Sequence, residues 1–290
     1  MTDASGTSTW TLDGAGNAIA IGQPAGATAY AYDDAGRRLT TSQPGGLVTT
    51  NLYDAFGRLS RVTSPAGEQT TLAYDALGRV WRTTYGNGTV EEKTFDGLSR
   101  PLTIVLRSAG GATLRSESLT YNRASQILTR TVDGVQTSCA YDANGRLVSE
   151  AAPGRTVSYV WDANGNRTSR TINGVAETAT YDDADKLLNV TVGGSVVRSY
   201  VYDGAGRATS VTSGGVTTPL TWDARGYATS VAGQAMVTNG DGARVREAGS
   251  NLLRAGTDVL APILADGAAT YVPGVSERRP GATSYLHGGD

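Results

Sequence analysis

A single histidine, His287, and a single cysteine, Cys139, are all that this 290-residue chain offers for the commonest nucleophilic and metal chemistry. Ser–His–Asp or Cys–His catalysis would have to use His287, which stands near the last residue with no nucleophile beside it in sequence. A zinc site of the usual type cannot be assembled from one His and one Cys. Cys139 falls on a run leading into Tyr141, where a small core residue is expected rather than a reactive thiol. With no second cysteine there is no internal disulfide.

Adjacent carboxylates occur at Asp33-Asp34 and Asp182-Asp183, a pairing that can serve acid–base work. Each is the turn Asp of a repeat plus its neighbour, so a solvated turn is the expected state. Asp162, Asn164 and Asn166 have the alternate spacing that opens a calcium loop, but Arg167 replaces the following Gly and no Glu lies at the required distance. Trp10, Trp81, Trp161 and Trp222 could stack on sugars if exposed; Trp161 and Trp222 occupy an aromatic slot of the repeat, where internal packing is expected. Gly14-Ala15-Gly16 precedes a strand rather than a helix, so no phosphate cradle is expected. These residues assign no catalytic, cofactor-binding or metal-ligating role, and the chain reads as a non-enzyme.

The elements that carry these residues are repetitive. Eleven times an aromatic-Asp pair, or a worn version of it, is followed by a short turn and usually by Gly-Arg, about every twenty residues. The series runs Tyr32-Asp33 with Gly36, Tyr53-Asp54 with Gly57-Arg58, Tyr74-Asp75 with Gly78-Arg79, then Phe95-Asp96 and Tyr121-Asn122. It continues through Tyr141-Asp142 with Gly145-Arg146, Trp161-Asp162 with Gly165, Tyr181-Asp182, Tyr202-Asp203 with Gly206-Arg207, and Trp222-Asp223 with Gly226. Leu12-Asp13 is a degenerate first copy. Between signatures lie two alternating runs and a second turn, such as Pro65-Ala66-Gly67, Asn87-Gly88, Asp133-Gly134 or Asn173-Gly174. Period-two alternation predicts strands, and Asn-Gly or Asp-Gly between such runs predicts hairpins with positive φ at both central residues.

Within the signature, Asp accepts backbone amides of its own turn, and the Gly three residues on supplies a left-handed conformation. The Tyr before it is expected to pack on its equivalents in neighbouring hairpins as a ladder of rings. The fold class is therefore all-β: tandem antiparallel hairpins in one long sheet that must curl or spiral, since roughly twenty to twenty-four strands at about 4.8 Å spacing exceed what an open twisted sheet sustains. Residues 1–250 form the array of about twelve hairpins, and 251–290 a divergent closing segment. A longer hairpin is expected between Phe95 and Tyr121.

Composition sets further bounds. The 38 glycines, with abundant Thr, Ser, Ala and Val, suit strands and turns. The net charge of -2 leaves no basic patch for a nucleic acid, and Lys93 and Lys186 are the only lysines. The recurrent Arg reads as structural, lying over rings and forking onto carboxylates. The start, Met1-Thr2-Asp3-Ala4, lacks the basic end and apolar run of a signal peptide, and no stretch is apolar enough for a helical membrane span.

The aromatic-Asp-x-x-Gly-Arg-Leu pattern, clearest in Tyr53-Asp54-Ala55-Phe56-Gly57-Arg58-Leu59 and in Tyr141-Asp142-Ala143-Asn144-Gly145-Arg146-Leu147, resembles the YD repeat of the RHS family over about residues 10–250. That family includes the Rhs polymorphic toxins, wall-associated proteins, the C component of insecticidal toxin complexes and teneurins. Asn251-Leu252-Leu253 and Tyr285-Leu286-His287-Gly288 look like the end of its conserved core. The resemblance implies a β-ribbon spiralling into a shell around a variable C-terminal effector, often a toxin. Its partners would be that effector and further RHS repeats, in a larger secreted or cell-surface protein. The family's self-cleavage residues would lie past Asp290, so none are carried over. The alternative is a surface adhesion module whose outer face contacts glycans or a cell-surface protein.

Overall fold

The computed structural model describes residues 2–3, 6–255, 261–266, 268–273, 276–279 and 282–285. His287 and the rest of its motif beyond Tyr285 lie outside the described residues. Strands make up 62% of the chain, and 25 of them belong to one antiparallel sheet. The helical element among the described residues is a single 3-10 turn at Pro44–Gly46. The chain forms two compact units, residues 1–91 with 222–290, and residues 92–221.

In the first unit the strands from Thr9–Leu12 to Val80–Thr84 pair in chain order, as Gly26–Tyr32 does with Arg38–Gln43 and Leu47–Tyr53 with Leu59–Thr63. The alternation read from sequence is visible in burial: Thr28 and Tyr30 are buried, while Ala27, Ala29 and Ala31 between them face solvent or nearly so. Val62 and Thr70, paired across the next hairpin, are buried as well. The segment after Ser250 adds a separate five-stranded sheet from Leu253–Arg254 through Ala282–Tyr285. Its side chains Leu252, Leu253 and Leu264 are buried, each contributing about 1.5–3 kcal/mol by transfer from water. Tyr30 Oη donates to the Ala255 carbonyl at 2.7 Å and Gln23 Nε2 to that of Arg254 at 2.8 Å, so this segment lies against the first hairpins.

The second unit repeats the pattern from Pro101–Arg107 to Val216–Trp222. The longer hairpin expected after Phe95 is present, with a nine-residue strand at Thr113–Tyr121. Registers shift by one residue just before the signature aromatic, between Ala140 and Tyr141 and between Val160 and Trp161, which re-aims the ring at the strand end.

Two turn geometries alternate. At Asp133-Gly134 and Asn173-Gly174 both central residues have positive φ (48° and 84°, 47° and 84°), the twist-matched hairpin that the sequence predicts. At Asn87-Gly88 the expectation fails: Gly88 alone turns left-handed (φ 83°), because the loop starts two residues earlier and closes with Tyr85 N–H on the Thr89 carbonyl. The signature turns share this second geometry, with Asp54 N–H on the Arg58 carbonyl and Gly57 N–H on that of Asp54. Gly57 has φ 78° and an added Cβ would lie 2.9 Å from Arg37 Nη1, whereas at Gly36 (φ 73°) it would meet nothing within 4 Å. Gly36→Ala is therefore expected to cost about 1–2 kcal/mol from left-handed strain alone, and Gly57→Ala more, as read from urea midpoints.

Candidate functional site

The described residues bring the signature side chains together as an interlock between consecutive turns. In each complete copy one carboxylate oxygen serves the backbone and the other the cation. Asp54 Oδ1 accepts the amides of Phe56 and Arg58 (both 2.9 Å), while Oδ2 accepts Arg58 Nε and Nη2 at 2.7 Å. The same arrangement recurs at Asp33–Arg37, Asp75–Arg79, Asp96–Arg100, Asp142–Arg146 and Asp203–Arg207.

The Arg then reaches forward. Arg37 lies over the Tyr53 ring at 4.9 Å, Arg58 over Tyr74 at 4.3 Å and Arg100 over Tyr121 at 4.6 Å. Arg146 Nη1 donates to the Asp162 carbonyl at 2.9 Å. The aromatic reaches back: Tyr32, Tyr53, Tyr74, Tyr141 and Tyr202 donate their hydroxyls to the carbonyls of Ala18, Arg38, Leu59, Ile127 and Leu187, and Trp161 Nε1 donates to Leu147. On Tyr53, Tyr74 and Tyr121 the guanidinium of the preceding turn lies over the ring, where alternation alone suggested ring on ring.

Variants keep the interlock with other chemistry. Gln126 replaces Arg beside Asn122 and donates onward to the Gly145 carbonyl at 2.8 Å. In the Trp222-Asp223 turn Gly226 keeps its left-handed φ of 88°, but Tyr227 occupies the Arg position. Arg225 supplies the cation from two residues earlier, bonding Asp223 Oδ2 through Nε and Nη2 and donating to the Asn239 carbonyl at 3.3 Å. Sequence reading passed over Arg225 and Gln126; the signal was a long donor within the same five-residue turn.

The calcium-like spacing at Asp162 turns out to be another such variant. Asn166 Nδ2 donates to Asp162 Oδ2 (3.0 Å) and, with Asn164 Nδ2, to Asp185 Oδ1 (2.6 and 3.0 Å). Amide donors occupy the oxygens a cation would need. At Gly165 the backbone is left-handed (φ 94°), as in the other signature turns. The Cys139 thiol is half-buried and burial pushes its pKa up, away from a reactive thiolate.

Hydrogen bonds from the Arg58 and Arg79 side chains hold the Asp54 and Asp75 carboxyls below their usual range; at Asp142 and Asp203 the backbone amides of Arg146 and Arg207 contribute first and the side chains second. A depressed folded-state pKa means that the stabilisation is complete above the ordinary carboxylate value of 3.8 and is lost as pH falls through the lower folded values. Repetition along the array makes the effect cumulative. The urea midpoint is expected to hold steady from pH 7 to about 5 and to drop steeply below about 4.

In the first unit a half-open cavity of about 460 Å³ separates Gln43, Leu47 and Glu68 from Ala269, Tyr271 and Arg279. Tyr271 donates to Asp266 at 2.7 Å, and that bond pushes its hydroxyl pKa up to about 12.

An interlocked train of antiparallel hairpins is a repeat architecture whose wall is built by its turns. The RHS Repeat family model matches residues 13–48, 53–90 and 141–175, so the chain carries RHS repeats in those stretches. No curated protein matches it. Among solved structures it is similar to the Photorhabdus luminescens Tc holotoxin pore with a substituted TccC3, at 16% identity and TM-score 0.59, covering 89% of this chain and 14% of that one. It is also similar to TcdB2–TccC3–Cdc42 and to TcdB2–TccC3 without its hypervariable C-terminal region, each at 16% identity and TM-score 0.52, covering 96% of this chain and 22% of that one. These likenesses establish a shared fold, and the chain spans less than a quarter of each of these three structures.

Proposed function

We propose that this chain is a structural wall segment, in which residues 1–250 form the repeat array and 251–290 a closing segment, and that the wall encloses or presents an effector domain of a longer, secreted or surface-exposed parent protein. The signature residues from Tyr32 to Gly226 hold the wall; none performs chemistry. The observation that carries the reading is the turn-to-turn interlock on a fold shared with TcdB2–TccC3, a protein with a hypervariable C-terminal region. In a wall, every Arg that grips its own Asp and the next ring makes neighbouring hairpins mutually dependent, which resists local opening. The test is proteolysis of the parent protein. The domain after the repeats should survive a protease dose that digests the same domain expressed alone, and equal digestion would refute enclosure.

A second reading has one observation in its favour. Trp10 and Trp81 are exposed at 39% and 36%, available to stack on sugars, whereas Trp161 is tied to Leu147. Saturable glycan-dependent quenching of tryptophan fluorescence, lost in Trp10→Ala or Trp81→Ala, would support adhesion.

A further inference from the structure

The cavity of about 460 Å³ in the first unit lies where the repeat array meets the closing sheet, and the wall has no use for it. On the array side it is lined by the turn ends of two neighbouring hairpins, Gln43 with Leu47 and Ser64 with Glu68. On the other side stand the strands Thr270–Val272 and Ser276–Arg279 of the closing sheet. Its volume falls within the range of about 300–1,000 Å³ that small-molecule sites occupy. Gln43, Ala269 and Val272 are buried while Pro65 is exposed, so the cavity has a floor and a mouth.

The hydrogen-bonding groups around it are unbalanced. Gln43 is 6% exposed, yet its Oε1 is buried with no partner among the described residues. An orphaned acceptor of this kind destabilises the protein until something supplies a donor. The neighbouring donors are already committed. Ser64 Oγ donates to Glu68 Oε2 at 3.2 Å, Tyr271 Oη to Asp266 Oδ2 at 2.7 Å, and Arg279 Nε to Glu277 Oε1 at 2.5 Å. A carboxylate accepts several hydrogen bonds, so Glu68 keeps capacity beyond its bond from Ser64. Among the described side chains that line the cavity or bond to its lining, the carboxylates Glu68, Asp266 and Glu277 stand against the guanidinium of Arg279. That balance favours a cation at the mouth.

We propose that this cavity binds a small organic ammonium, with an apolar body against Leu47, Ala269 and Val272 and its N–H groups donated to Gln43 Oε1 and the Glu68 carboxylate. A protonated amine brings donors and no acceptors, which is what the lining lacks. A carboxylate of the same shape brings only acceptors and meets Glu68 as a like charge. The site is independent of enclosure, and its failure would leave the wall reading untouched.

Isothermal titration of this chain at pH 7 tests it, with tryptamine as the ammonium and indole-3-acetate as the same ring carrying an anion. Tryptamine is expected to saturate one site with a Kd of about 1 mM or tighter, as suits a molecule of that size. Indole-3-acetate should bind at least about tenfold more weakly, because it leaves the Gln43 acceptor unpaired. Gln43→Leu and Glu68→Gln should each weaken tryptamine binding about tenfold, since each removes one acceptor of a charged donor. The urea midpoint of Gln43→Leu should not fall, because the substitution takes away an acceptor that had no partner. Should one variant fold poorly, the other decides. No saturable tryptamine binding up to about 10 mM, equal binding of the two indoles, or undiminished tryptamine binding in either folded variant overturns the proposal.

Discussion

Tyr30→Ala is expected to destabilise the unit of residues 1–91 and 222–290 by about 3–5 kcal/mol, the range for truncating a buried aromatic. Tyr30 is 5% exposed, carries Arg38 at 4.3 Å over its ring, and bonds Thr28 Oγ1 at 3.0 Å and the Ala255 carbonyl at 2.7 Å. It therefore joins the early hairpins to the closing segment with both ring and hydroxyl. Tyr30→Phe separates the two contributions. The ring stays, but a carbonyl loses its donor, for about 1–2 kcal/mol. Urea unfolding followed by far-UV circular dichroism reads both substitutions, and equal losses for Phe and Ala would mean that the hydroxyl, not the packing, dominates.

Arg254→Ala should be of similar size, about 3–5 kcal/mol, from the loss of two charge-assisted hydrogen bonds at about 1.5–3 kcal/mol each. Arg254 is 8% exposed, and its guanidinium donates to the carbonyls of Arg244 and Ala261, both at 2.7 Å. Truncation leaves the Arg244 and Ala261 carbonyls short of a donor. Arg254→Lys keeps the charge but not the fork, and should recover less than half of the loss because one ammonium cannot span both carbonyls. Thermal melts of the pair test this, and full recovery in the Lys variant would show that charge alone matters.

Much of this was legible in the residues. Alternation gave strands such as Leu59–Thr63, and the Asp-x-x-Gly turn gave its own hydrogen bonds, because both depend on neighbours in sequence. What crosses between repeats was harder to read. The Arg58 to Tyr74 stack and the Arg225 substitute depend on which turn lies beside which, information held in register rather than in any single motif. The misread loop at Asn87-Gly88 has a local cause: Asn-Gly marks a turn, but Tyr85 N–H and the Thr89 carbonyl decide its length. The seating of the closing segment on Tyr30 had no sequence signal at all, since 225 residues separate Tyr30 from Ala255.

The most direct test of the central claim is a cryo-electron microscopy map of the parent protein. If the proposed enclosure holds, density for a further domain will lie inside a wall that contains these hairpins. A C-terminal domain standing free in solvent, with both faces of the hairpin sheet bare, would contradict it.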